Sequence, residues 1–222
     1  MVDLKEFEQK AADLRVLGMK ISIGQDTVYE KYWDEDCRRN IYSASKSFTS
    51  CAVGFAVQEG LIDLDERLMD AFKEDIPNNP DENLKKATVK DLLTMTLGQE
   101  KGFLMGKQRP RMEEQNWVKA SLAIPFVYEP GTHFVYNNVG PYLAGILVQR
   151  RAGCDLLSYL TPRLLKPLGI RKTIWEVDPE GNTFGAGGLF LTVSELHKLG
   201  MFYLQNGCWN GKKLLSKEWI HE

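Results

Sequence analysis

The chain has 222 residues and a mass of 25.3 kDa, enough for one large domain or for one domain built from two lobes. Hydrophobic residues make up 43% and charged residues 26%, the mix of a globular protein with a real core. With 28 basic against 30 acidic side chains the net charge is −2, which argues against an electrostatic nucleic-acid binder, and no run approaches the ~20 apolar residues of a membrane span.

Residues 1–17 are acidic and amphipathic rather than basic and then apolar, so no secretory signal is expected as the sequence is written. Cys37, Cys51, Cys154 and Cys208 are scattered without paired spacing, which suits reduced thiols in a cytoplasmic protein. A first helix is expected from an N-cap at Asp3, with Leu4, Phe7, Ala11 and Leu14 on one stripe and Gly18 as its stop. Met19, Ile21 and Ile23 then alternate with polar residues. After the turn Gly24-Gln25-Asp26, the β-branched and aromatic run Thr27–Trp33 completes a hairpin.

From Ser43 onward the pattern is mostly helical. Ala44, Phe48, Cys51, Ala52, Phe55 and Ala56 recur at helical spacing up to Gly60, and residues 51–57 are apolar nearly all round, which predicts a helix inside the protein. Thr88 and Asp91 resemble a capping box, with Gly98 closing that helix; Pro141–Gly153 and the run after Asp155 predict two more. Thr192 and Glu195 form a second capping box, and Ser216 is a good N-cap six residues before Glu222. That last feature creates the expectation that the chain is cut short.

Ser43-Ala44-Ser45-Lys46 is an S-x-x-K element at the start of the buried helix. Serine and lysine three apart share a helical face, so the amine can reach the hydroxyl and take its proton if burial lowers the lysine pKa. About one S-x-x-K is expected by chance in a chain of this length, so Ser43 as an N-cap and Lys46 as a surface lysine stay open on these residues alone. A lysine opening a helix with no solvent face nevertheless needs a buried partner. Tyr136-Asn137-Asn138, after the loop Glu129-Pro130-Gly131-Thr132, supplies candidates: a tyrosine able to carry a proton and an amide able to orient a lysine or a substrate carbonyl. A tyrosine in a half-buried loop with no such role is the structural alternative.

Taken together, these segments resemble the serine β-lactamase and penicillin-binding-protein-like superfamily, nearest to class C β-lactamases, DD-peptidases and esterase relatives. Ile41–Thr49 is similar to the nucleophile helix, Gly60–Asp65 to the turn after it, and Val89–Gly98 to a following helix, with Met95 and Leu97 replacing histidine and serine. Glu129–Leu143 resembles the tyrosine loop, Lys166–Ile170 a Pro-Leu-Gly turn, and Gly185–Leu189 the glycine-rich loop.

The resemblance implies an α+β, β-lactamase/transpeptidase-like fold in a single domain over 1–222, with a helical lobe (43–169) packed on an antiparallel sheet (1–42 and 170–222). It implies Ser43 as acyl-accepting nucleophile, Lys46 as its proton partner, Tyr136 as general base and then acid, and Asn138, Gly187 and Gly188 as substrate-binding residues. It implies no cofactor and no metal, and a small-molecule or peptide acyl substrate with an ester, amide or β-lactam carbonyl. The family's Lys/His-x-Gly strand is matched by letter only at Lys198-Leu199-Gly200, inside a predicted helix. The chain is therefore expected to stop before that strand, to lack one oxyanion donor worth about 10²–10³ in rate, and to turn over activated esters weakly. An unpaired sheet edge would then favour self-association.

A catalytically silent or impaired member that binds a ligand or partner through the same cleft is the alternative from another class. An α/β-hydrolase is excluded by the absence of G-x-S-x-G, and His133, His197 and His221 lack metal-hydrolase spacing. Lys107, Arg109 and Arg111 are expected on a solvated face, with an anion-binding rim as the alternative.

Overall fold

The computed structural model describes residues 4–11 and 13–221, so the N-cap expected at Asp3 lies outside the described residues. Helix α1 (Lys5–Ala11) precedes a hairpin of β1 (Gly18–Ile23) and β2 (Asp26–Tyr32), whose register runs from Gly18 opposite Tyr32 to Ile23 opposite Asp26. Gly18 therefore opens a strand instead of stopping a helix, and Leu14, expected on the buried stripe, is 67% exposed. The alternation of Met19, Ile21 and Ile23 wins over the helical reading because a partner strand is two turn residues away.

After β3 (Arg39–Asn40), a 3-10 turn at Tyr42–Ala44 leads into α2 (Ser45–Gln58). Every residue of α2 from Cys51 to Ala56 is buried, as its all-round apolar sequence requires. The short helices α3 (Leu68–Ala71), α4 (Glu82–Lys86), α5 (Val89–Thr94) and α6 (Trp117–Leu122) follow, then α7 (Val139–Ala152) and α8 (Leu156–Leu160). Helix α7 is buried from Val139 to Gln149 and packs against α2, α5 and α8, so α2 and α7 form the centre of the core. The approach of α5 to α7 demands glycine at 140, where a Cβ would lie 2.2 Å from the Leu92 carbonyl oxygen.

Strand β4 (Phe190–Leu191) pairs antiparallel with β3, α9 (Val193–Leu204) packs on β1, and β5 (Cys208–Trp209), β6 (Lys212–Lys213) and α10 (Lys217–His221) complete the described chain. The sheet consists of three separate two-stranded pieces, β1–β2, β3–β4 and β5–β6. The fold is nonetheless α+β, with helices packed against small antiparallel sheets. No helix among the described residues is long and apolar enough to cross a membrane.

The predicted caps form as local chemistry dictates. Thr88 with Asp91 and Thr192 with Glu195 make reciprocal capping boxes, Asp155 accepts from the Ser158 amide at 2.9 Å, and Ser216 accepts from the Trp219 amide at 3.1 Å. Helix α5 ends earlier than the glycine rule predicts: Met95 takes the left-handed cap (φ 58°), and Gly98 serves a loop three residues on. All four cysteines are free.

Candidate active site

The site begins at the start of α2. Its first turn lacks a side-chain cap and is held by tertiary contacts instead. Ser45, buried, donates to the Tyr42 carbonyl at 2.6 Å and accepts from the Leu189 amide at 3.1 Å, tying the turn before α2 to the stretch entering β4. Ser43 is exposed at the head of this turn, one position after Tyr42. In the first turn of a short helix the Ser43 amide has no acceptor within the helix.

Lys46 and Tyr136 converge on that hydroxyl. The Tyr136 hydroxyl donates to Ser43 Oγ at 2.7 Å and Lys46 Nζ donates to it at 3.1 Å. Lys46 also donates to Asn138 Oδ1 at 2.8 Å and to the Ala186 carbonyl at 2.5 Å, so all three ammonium hydrogens have acceptors. Loss of one proton keeps both carbonyl bonds and turns the nitrogen lone pair on Ser43. Burial holds the Lys46 pKa below the ordinary lysine range, with the charge of Arg109 adding to the fall and Tyr136 opposing it. Partial burial alone would raise Tyr136, but the hydrogen bond with Ser43 and the Lys46 charge outweigh it and bring its phenol below the ordinary range. A tyrosine and a lysine shifted in the same direction around one hydroxyl are equipped to pass its proton between them.

Asn138 sits at the N-cap of α7 but spends its side chain on the site, since its amide nitrogen donates to the Leu104 carbonyl at 2.9 Å while its oxygen holds Lys46. The capping task passes to Asn137, whose Oδ1 accepts from the Gly140 amide at 3.1 Å. This division of labour explains why two consecutive asparagines follow Tyr136.

In the glycine-rich loop, the atom that reaches the site belongs to Ala186. Gly187 accepts from the Trp175 indole at 2.8 Å and Gly188 accepts from the Glu176 amide at 2.9 Å, so both carbonyls hold the loop together. Ala186 and Leu104 act through backbone carbonyls, which no side-chain motif marks in a sequence. Arg109 departs from the solvated face expected of it. Its guanidinium stacks 4.3 Å over Phe184, pairs with Glu176 at 3.3 Å and leaves Nε buried without a partner. Lys107 and Arg111 are exposed, as expected.

No group of three or more His, Cys, Asp or Glu side chains among the described residues could hold a metal ion. A groove of about 350 Å³ lies beside the turn at Tyr42–Ala44, lined by Asn40, Ile41, Tyr42, Leu191, Val193 and Leu196 among others, but Ser43, Lys46 and Tyr136 do not line it. Ser43 is exposed and Tyr136 is 44% exposed, while Lys46 is half-buried between them.

A 157-residue stretch is 31% identical to monacolin J acid methylbutanoyltransferase of Aspergillus terreus, covering 62% of this chain and 37% of that protein. A 150-residue stretch is 31% identical to lovastatin esterase of Penicillium rubens, covering 58% and 37% respectively. The octameric penicillin-binding protein homologue of Pyrococcus abyssi superposes with a TM-score of 0.75 at 24% identity, over 99% of this chain and 59% of that one. The matched stretch thus spans little more than a third of these two curated relatives. The sequence model of the Beta-lactamase family matches residues 5–219, and the chain belongs to that family.

Proposed function

We propose that this chain carries the nucleophile of a serine acyl hydrolase or acyltransferase, working through an acyl-enzyme on Ser43. One observation carries the reading: Ser43 Oγ lies 2.7 Å from the Tyr136 hydroxyl and 3.1 Å from Lys46 Nζ, with the lysine anchored by Asn138 and Ala186. In this reading Ser43 Oγ attacks an ester, amide or β-lactam carbonyl while its proton passes to the Lys46–Tyr136 pair. The tetrahedral oxyanion accepts a hydrogen bond from the Ser43 amide, and Tyr136 returns the proton to the departing alcohol or amine as the acyl–oxygen or acyl–nitrogen bond breaks. Water or an alcohol then takes the acyl group by the reverse proton path.

Plain esters are the favoured substrates within this class. The esterase and acyltransferase names among the relatives support that choice, as does the exposure of Ser43. The test is labelling of the chain by a fluorophosphonate, with the modified residue located by mass spectrometry. Labelling at Ser43 that is lost in Ser43→Ala is the expected result. An unlabelled, folded chain would sink the proposal.

A further inference from the structure

Ser43 follows a residue held in a conformation that its type disfavours. Tyr42 has φ 49°, in the left-handed region, where a non-glycine residue is disfavoured roughly 5- to 30-fold in population. Its side chain is 74% exposed, so packing of the ring does not hold it there. Its backbone is held at both ends. The carbonyl accepts from Ser45, and the amide donates to Asn40 Oδ1 at 2.7 Å, an Asx-type turn two residues long.

Asn40 is in turn oriented from across the sheet. Residues 188–190 run between the segment 39–41 and the segment 174–176: the Ile41 amide donates to the Leu189 carbonyl at 2.9 Å, and the Glu176 amide donates to the Gly188 carbonyl at 2.9 Å. Across this middle segment the Asn40 amide nitrogen donates to Glu176 Oε1 at 3.0 Å, while Arg109 holds Oε2 at 3.3 Å. The carboxylate accepts only and the Tyr42 amide donates only, so the two partners dictate which way the Asn40 amide faces. Gly188 makes the crossing possible, because a Cβ there would lie 2.5 Å from Glu176 Cβ and 2.6 Å from its Oε2.

Taking Ser43 as the nucleophile proposed above, we infer that Asn40, Glu176 and Gly188 form a positioning clamp that keeps Tyr42 left-handed and so aims Ser43 at Lys46 and Tyr136. None of the three touches the reacting atoms; each acts through the Tyr42 peptide.

The test compares fluorophosphonate labelling rates at Ser43 under conditions where every variant remains folded. Asn40→Ala should slow labelling roughly tenfold, the scale of the left-handed penalty it releases. Adding Tyr42→Gly should recover most of that loss, because glycine takes positive φ without penalty. Rescue by a smaller residue that makes no new contact is not expected of a merely structural role. Gly188→Ala should slow labelling similarly by displacing Glu176. If Asn40→Ala does not fold, Asn40→Asp keeps the acceptor for Tyr42 but opposes Glu176 with like charge, and Glu176→Gln in that background should restore the rate. Wild-type labelling by Asn40→Ala, or a double variant as slow as Asn40→Ala, would overturn the clamp and leave the nucleophile reading intact. If the wild type itself is unlabelled, that reading fails and a crystal structure of Asn40→Ala decides the clamp. Loss of positive φ at Tyr42 is expected there, and its retention overturns the inference.

Discussion

Helices α2 and α9 start in opposite ways. Helix α9 is launched by its own sequence: Thr192 accepts from the Glu195 amide at 3.1 Å and Glu195 accepts from the Thr192 amide at 3.1 Å, within four consecutive residues. Only Leu199 and Phe202 of α9 are fully buried, the stripe of an ordinary surface helix. Helix α2 has no side-chain cap and emerges from a left-handed tyrosine, held by groups 92 to 144 residues away in the chain. Side-chain contacts from far away tie its first turn down: the Leu189 amide donates to Ser45, and Asn138 and Ala186 hold Lys46.

The contrast can be tested by removing one group from each kind of start. Tyr136→Phe removes the hydroxyl nearest Ser43 Oγ and should slow fluorophosphonate labelling by about 10²–10⁴, with an unchanged urea midpoint. A midpoint shift as large as the rate loss would make Tyr136 a structural residue. Phe48→Ala, at a fully buried position in α2, should cost about 3–5 kcal/mol in urea denaturation, because the void lies among packed helices. A cost below ~1 kcal/mol would mean that the centre of the core is elsewhere.

The pH profile of labelling sharpens the same comparison. Acylation needs a proton acceptor beside Ser43, and burial lowers the Lys46 pKa, so the rate should rise with pH by up to tenfold per unit. Because the shift is downward, the rise should be centred below the range of a free lysine, and it belongs to the Lys46–Tyr136 pair rather than to either residue. A flat profile, or one centred at or above that range, would contradict the proton-transfer role. The smallest effect is expected at α9. Thr192→Ala should destabilise by about 1 kcal/mol, measured by urea unfolding, while labelling of the folded protein stays unchanged. Loss of labelling there would show that α9 reports to the site.

Much of the site was legible because its side chains sit at local spacings. Ser43 and Lys46 share one helical face, and Tyr136 and Asn138 flank a residue that caps the next helix, so their types and spacing made them candidates for one site, and the structure brings them together. Arg109 was misread because a basic cluster in a loop looks solvated in one dimension. Its stacking on Phe184 and its pairing with Glu176 depend on residues 67 or more positions away. Gly98 misled in the same way, since a helix end is settled by whichever residue can turn left-handed first, and here Met95 does.

The sequence by itself determined what depends on neighbours in the chain: the hairpin from alternation, the caps from Thr88, Asp155, Thr192 and Ser216, and the burial of α2 from its lack of a polar face. Tertiary structure alone decided what depends on backbone atoms brought from far away. The Ala186 and Leu104 carbonyls and the left-handed Tyr42 carry no side-chain signature, because every residue has a carbonyl and an amide, and the side chains of Asn40 and Glu176 meet from 136 positions apart. Which of these groups meets the Ser43–Lys46 pair is settled only when the core has packed and left them no other place.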